Sequence, residues 1–433
     1  MFKIFANAWR VEDIRKKLLF ILLLLLIFRF GSAIPLPGID LQLLDFVRSP
    51  DGQGDTAMTI FSMITGGGIG SVFAMGIAPY ITASIIMQLL SYALPYFSEL
   101  KNEGEEGNKK IQQYTRWLAV ILAALQAAAM VFSYTNFNNV PGFNLFREGH
   151  QTLFVYAIAT LAMMTGTIFI MWLAELITEK GIGQGASFLI FANILAALPN
   201  GALALWFMAT GDSPLLGTIQ VVVILAVFAA LVAFVVMVHE GERRIPVQYA
   251  KRAVAAGRGT MPQNFIPIKV NLAGVLSIIF AMSLLQFPQQ IAGFFGVDPR
   301  THAVLRFLDW NNPVGAILYV VLIFMFTHFY TSFAVNPRDM AENLKKNGGF
   351  IPGIRPGQPT SEFIQTTVNR LSWIGACFYS LIAITPIVIE ALVPDLTGIG
   401  FGGTSLLIVT GVALEFVKQL ESQLLMRHYK GFL

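Results

Sequence analysis

The chain has 433 residues, of which 55% are hydrophobic and only 12% charged, with a formal net charge of +4. This composition excludes a soluble globular domain and a disordered segment, and it places the chain among polytopic membrane proteins. The single cysteine, Cys377, excludes a disulfide within the chain and a thiol-pair metal site.

In chain order, Arg15-Lys16-Lys17 precede an apolar run at 18–28 and the small residues Gly31-Ser32-Ala33. A cleavable signal peptide has this shape. A retained first helix is the better reading, because the apolar stretch continues to Ile34 before Pro35. Arg29 inside it is placed near the far interface, where a long side chain can snorkel. The stretch 58–95 is apolar but too long for one span, since about 20 residues cross the hydrocarbon core. Gly66, Gly67, Gly68 and Gly70 break its first third. The expectation is a half-helix over about 57–70, a glycine turn, and a full helix over 72–92. Broken backbone at membrane depth is tolerated where protein buries it or where it lines a watery cavity. The segment is therefore either a reentrant packing loop or part of a pathway.

Ten spans are expected, at 17–36, 72–92, 114–134, 152–173, 186–206, 215–238, 273–293, 314–335, 370–391 and 403–419. Of the 29 Lys and Arg residues, 24 fall at the N-terminus and in every second connection, counting those at span edges, four on the opposite side, and Arg29 well inside a span. The positive-inside rule then makes both termini cytoplasmic. The loops 240–271 and 336–369 are long, basic, and rich in proline and glycine, which favours defined turns over free coil. A midpoint near Pro199–Pro214 would divide the chain into two five-helix halves, 1–207 and 208–433, although no internal repeat is evident.

Much chemistry is missing. There is no P-loop. Gly181-Ile182-Gly183-Gln184-Gly185 lacks the flanking strand of a dinucleotide site and is expected to form a tight turn. His239-Glu240 lacks a second histidine at zincin spacing. His328 alone among five histidines lies well inside a span, where a hydrogen-bonded packing role is expected. Glu175, Glu240, Glu390 and Glu415 all fall near span ends. An ion-coupled carrier needs ionisable or strongly polar groups near the midplane. Aliphatic span centres suit a wide, weakly interacting passage closed by apolar side chains, which gates by excluding water. A small-solute transporter and an assembly scaffold or insertase are the competing classes.

Several motifs, taken together and in order, carry a resemblance that covers essentially the whole chain. They are Phe28-Arg29-Phe30-Gly31 with Ile34-Pro35-Leu36-Pro37-Gly38-Ile39-Asp40, then Gly76-Ile77-Ala78-Pro79-Tyr80-Ile81-Thr82-Ala83-Ser84-Ile85-Ile86, and then Glu179-Lys180 with the glycine turn that follows. Later come Tyr249-Ala250-Lys251-Arg252, Pro267-Ile268-Lys269-Val270-Asn271, Ile354-Arg355-Pro356-Gly357 and Phe401-Gly402-Gly403-Thr404-Ser405-Leu406-Leu407-Ile408. The chain resembles the SecY family, the central channel subunits of the bacterial protein translocase.

The resemblance implies an all-α membrane protein of ten helices, in two inverted halves around an hourglass pore. It implies a non-enzymatic channel in the bacterial cytoplasmic membrane, without cofactor or metal. Such a channel passes unfolded polypeptide outward and releases membrane segments through a lateral gate. By the same resemblance, the waist is ringed by Ile77, Ile81, Ala186, Ile190, Ile279 and Ile408. Ala186 departs from the bulky aliphatic residue usual there. The half-helix becomes a plug, carried by Met58, Ile60, Phe61, Met63, Ile64, Gly66, Gly67 and Gly68. Thr82, Gln126 and Phe287 fall at gate positions, and the Gln126 amide is expected to find a hydrogen-bond partner between helices. Lys251, Arg252, Arg258 and Arg355 would dock the motor or the ribosome. The implied partners are SecE, SecG, SecA, the ribosome, secretory and membrane preproteins, and the lipid bilayer. No nucleic acid is implied beyond the ribosomal RNA of a docked ribosome.

Overall fold

The computed structural model describes residues 8–40, 70–135, 146–147, 152–210, 214–249, 264–270, 276–294, 303–309, 312–392 and 403–430. Its elements run α1 (Glu12–Ser32), α2 (Ala78–Ala93), α3 (Pro95–Asn102), α4 (Glu105–Thr135), α5 (Leu153–Lys180), α6 (Gly185–Thr210) and α7 (Pro214–Glu240). They continue with β1 (Glu242–Tyr249), β2 (Asn264–Lys269), α8 (Leu276–Phe294), α9 (Ala303–Arg306), α10 (Pro313–Ala334), α11 (Pro337–Lys346), β3 (Gly349–Phe350), α12 (Gln358–Leu392) and α13 (Gly403–Lys430). Each of the ten expected spans is overlapped by one of the ten longer helices.

Among the described residues, and by length and composition alone, four segments are apolar enough to cross a membrane: Glu105–Phe132, Leu153–Lys180, Gly217–Glu240 and Pro313–Lys346. The pair α2–α3, bent by 101°, would make a fifth. Helices α1, α12 and α13 carry charged residues in their end turns, as helices that continue past the bilayer do. In α1, Ile14, Leu18, Ile21, Leu24 and Phe28 form a buried stripe at three- and four-residue spacing, while Leu19, Leu22, Leu23, Leu26 and Phe30 are exposed. One face packs on protein and the other is an apolar surface suited to lipid. Arg29 stands exposed in the last turn of α1, where a cation also favours the helix dipole.

Three expectations about boundaries are corrected. Helix α2 begins at Ala78 instead of residue 72. Gly76 adopts a positive φ of 52°, and Pro79 in the first turn lacks the N–H that an earlier helical start would need. The loop after α7 is more ordered than a run of turns. There β1 pairs antiparallel with β2 in the register Glu242 to Lys269 through Val247 to Asn264. β3, from the segment between α11 and α12, adds to the other edge, through Gln248 to Phe350 and Tyr249 to Gly349. Finally, α12 starts at Gln358, twelve residues before the expected span, because the polar stretch 358–369 extends the helix beyond its apolar part.

Two local expectations hold. His328 Nδ1 lies 3.2 Å from Ser372 Oγ and so links α10 to α12. The 181–185 segment is a tight turn. Gly183 has a φ of +92°, and the Gly185 N–H donates to Thr178 Oγ1 at 2.9 Å.

Candidate functional site

The expected waist residues enter from four helices. Ile77 caps α2, and the Ile81 N–H donates to the Ile77 carbonyl at 3.1 Å, so the two stack one turn apart. Ala186 and Ile190 lie in the first two turns of α6, Ile279 in the first turn of α8, and Ile408 in the second turn of α13. Ile77, Ile190, Ile279 and Ile408 belong to one apolar cluster, and Ile81 and Ala186 pack against it. Ile77 and Ile408 are only 1% and 2% exposed, so this constriction is filled by side chains. Ile81 also packs against the second apolar cluster, built from α7, α8, α10, α12 and α13, and so sits where the two meet.

Beside the waist runs a seam between α2 and α4 on one side and α8 and α10 on the other. Phe287 of α8 packs against a cluster made by Ala83, Ala119, Leu122 and Met171, with Tyr80 and Ile86 at its edge. In return, Ile85 of α2 is buried among Ile278, Phe280, Met282 and other residues of the second cluster. The rings of Tyr92 and Phe329 meet edge-on at 5.4 Å and join α2 to α10. These contacts are apolar or aromatic, with little directional hydrogen bonding to hold them. Thr82 is on α2, one of the seam helices, and its hydroxyl donates to Ala78 O of its own helix at 3.0 Å. Gln126 is half-buried on α4, and its side chain makes no hydrogen bond to another described residue.

The sequence reading missed two features near the seam. Arg116 Nε lies 2.6 Å from Glu175 Oε1 and ties α4 to α5, so Glu175 is a cross-helix partner and not merely a residue at a helix end. The segment 70–77 is a buried turn that leads into the waist. The only advance signals were Gly76 three residues before Pro79 and a charge of each sign inside neighbouring helices.

Between β3 and α12, Arg355 occupies an exposed turn. Thr360 Oγ1 donates to the Arg355 carbonyl at 2.9 Å. Ile351 is buried in the cluster beneath, with Ile354 packed against it, so the turn is held and the guanidinium is presented to solvent. The plug residues Met58, Ile60, Phe61, Met63, Ile64, Gly66, Gly67 and Gly68, and the docking residues Lys251, Arg252 and Arg258, lie outside the described residues.

An apolar helical bundle in which a side-chain-filled cluster from four helices sits beside a seam of apolar contacts fits one class, the protein-conducting membrane channel. Comparison with known proteins narrows it. The SecY family model matches residues 71–417. The protein translocase subunit SecY of Halalkalibacterium halodurans is 42% identical over 440 residues, covering 100% of both chains. That of Bacillus subtilis is 40% identical, again over 100% of both. Among solved structures, one described as a protein conducting channel matches with a TM-score of 0.66 at 19% identity, covering 93% of this chain and 90% of that one. Sec61 in the canine ribosome-channel complex matches with a TM-score of 0.61 at 18% identity, covering 93% and 90%. The chain belongs to the SecY family: it is a multi-pass subunit of a bacterial protein-conducting translocation channel, and not an enzyme.

Proposed function

We propose that Ile77, Ile81, Ala186, Ile190, Ile279 and Ile408 form the seal through which polypeptide passes, and that the α2–α4 and α8–α10 seam is the lateral exit. The observation that carries this reading is the convergence of all six on one apolar cluster from four separate helices. An aliphatic constriction offers water no hydrogen bonds, and flexible aliphatic side chains close around a chain of any sequence without binding it. Phe287, Thr82 and Gln126 sit along the exit. A departing apolar segment replaces the Phe287 and Ile85 contacts with contacts of its own, so the seam can part for it at little net cost. The experiment is site-specific photocrosslinking from positions 77, 81, 190, 279 and 408 to a stalled translocating chain. Adducts at all five are expected. Adducts to lipid alone would reject the waist.

The channel divides into halves at 1–207 and 208–433, with both termini cytoplasmic and 57–70 as the plug. SecE clamps the halves and SecG lies at the edge. SecA and the ribosome dock on the cytoplasmic loops through Arg355, Lys251, Arg252 and Arg258. Two neighbours support ribosome docking: Sec61 in its canine ribosome-channel complex and a yeast Ssh1 complex described as bound to the 80S ribosome. Orientation is tested in a Cys377→Ala background, which removes the only native thiol. A cysteine at Lys109 should label from the cytoplasm and one at Asn312 from outside. The reverse pattern would invert the topology.

A further inference from the structure

We propose that the buried turn 70–77 is the mount that positions Ile77 and Ile81 in the waist, and that Tyr134, Gly31 and Gly166 are its positioning residues; this rests on the reading of the waist as the seal. Every residue of the turn is buried except Val72, which is half-buried. A series of i to i+3 bonds stiffens it: Ala74 N–H to Ser71 O at 3.1 Å, Gly76 N–H to Phe73 O at 2.8 Å, and Ala78 N–H to Met75 O at 3.3 Å. A displacement at its base is therefore passed to Ile77 instead of being absorbed along the way.

The base is held from three directions. The antiparallel bridge Pro35–Ser71 supplies Leu36 N–H to Gly70 O at 2.9 Å and Val72 N–H to Ile34 O at 3.0 Å. Tyr134 of α4, which is fully buried, accepts the Gly70 N–H at its hydroxyl at 3.2 Å. The two glycines leave room for the turn. A Cβ at Gly166 of α5 would stand 2.4 Å from Val72 O, and one at Gly31 of α1 would stand 2.1 Å from the Phe73 ring. Phe73 is stacked between Phe28 and Phe169, with centroids 6.0 Å away on each side. Three helices thus grip the turn by its backbone and by one aromatic ring. Gly166 faces backbone, so an added methyl there must move the turn itself.

The test is resting single-channel current of the purified channel in planar bilayers, read per inserted channel, beside the thermal midpoint. Tyr134→Phe keeps the ring and removes the hydroxyl, and with it the acceptor of the buried Gly70 N–H. About a tenfold rise in resting open probability is expected. Gly166→Ala should leak at least as much. Ile364→Val, in the buried cluster beneath the sheet, provides a comparable loss of stability far from the turn and should stay tight. Ile408→Asn is run alongside as a direct lesion of the waist. If Ile408→Asn leaks while Tyr134→Phe and Gly166→Ala are as tight as the parent, the mount is overturned and the seal stands. If Ile408→Asn is itself tight, the seal reading falls and the mount with it. Leakage from Ile364→Val to the same extent would reduce the mount to general destabilisation and would also overturn it.

Discussion

Asparagine at Ile408 should raise resting ion conductance sharply and admit clients with defective signal sequences, and asparagine at Ile81 should do so to a lesser degree. The closed waist buries Ile408 almost completely, at 2% exposure, whereas Ile81 is half-buried at the junction of two clusters. An amide at 408 loses the aliphatic contact and leaves its donors and acceptors unpaired in an apolar site. The cost falls on the closed state, because an open, wetted waist solvates the amide. At about 2 kcal/mol for an unsatisfied buried polar group, the open-to-closed ratio shifts by about thirtyfold. If the seam is the exit, signal sequences act by the same balance: a client supplies the free energy that parts it, and a channel already biased toward opening needs less of it. Single-channel current and export of a signal-defective reporter read the two consequences. Variants as tight and selective as the parent would make these isoleucines ordinary packing residues.

Reversing the charge at Arg355 should abolish partner-driven transport while leaving the channel folded and inserted. The side chain is exposed, so its removal opens no cavity. The turn beneath it is held by Thr360 and by the packing of Ile351 and Ile354, none of which involves the guanidinium. A fixed, solvent-facing arginine suits bidentate contact with a carboxylate or phosphate, and glutamate there replaces attraction with repulsion. Loss of one such contact and gain of the repulsive one is expected to weaken docking by about a hundredfold. The defect should deepen as ionic strength falls, because like charges are then less screened. Binding of the motor or ribosome to reconstituted channels, measured against resting conductance, separates docking from channel integrity. Normal driven export by Arg355→Glu would remove the docking role.

The membrane class and the order of ten helices were legible in the chain because long apolar runs leave little choice. A backbone in hydrocarbon must satisfy its own hydrogen bonds, and a helix does so within one segment. The tight turn at 181–185 and the packing role of His328 were legible for similarly local reasons: closely spaced glycines in one case, and a single imidazole amid apolar neighbours in the other. The waist was not legible from the residues alone. An isoleucine facing lipid and an isoleucine facing a pore have the same chemistry, so the six positions came only from the family resemblance. Their meeting in one cluster is a fact of the tertiary structure. The same holds for Arg116 and Glu175, which lie 59 positions apart and pair only because α4 and α5 are neighbours.

The start of α2 shows why apolarity is an incomplete guide. Residues 72–77 are apolar enough to continue a helix, and the sequence reading extended the helix through them. Their backbone instead turns, held at Val72 by Ile34 and, just before it, at Gly70 by Leu36 and Tyr134, all from distant parts of the chain. The β1–β2 hairpin carried proline in both strands, at Pro246 and Pro267, which argued for turns. Pairing of six consecutive positions, with Ile245, Val247 and Ile268 buried beneath, outweighed that local preference. By itself, then, the sequence determined which segments are apolar, which loops are basic, and where glycine and proline forbid a continuous helix, because these depend on each residue and its near neighbours. Only the tertiary structure decided which apolar side chains meet in one cluster, which charges pair and where the buried turn is anchored, because each of these requires contact between residues far apart in the chain.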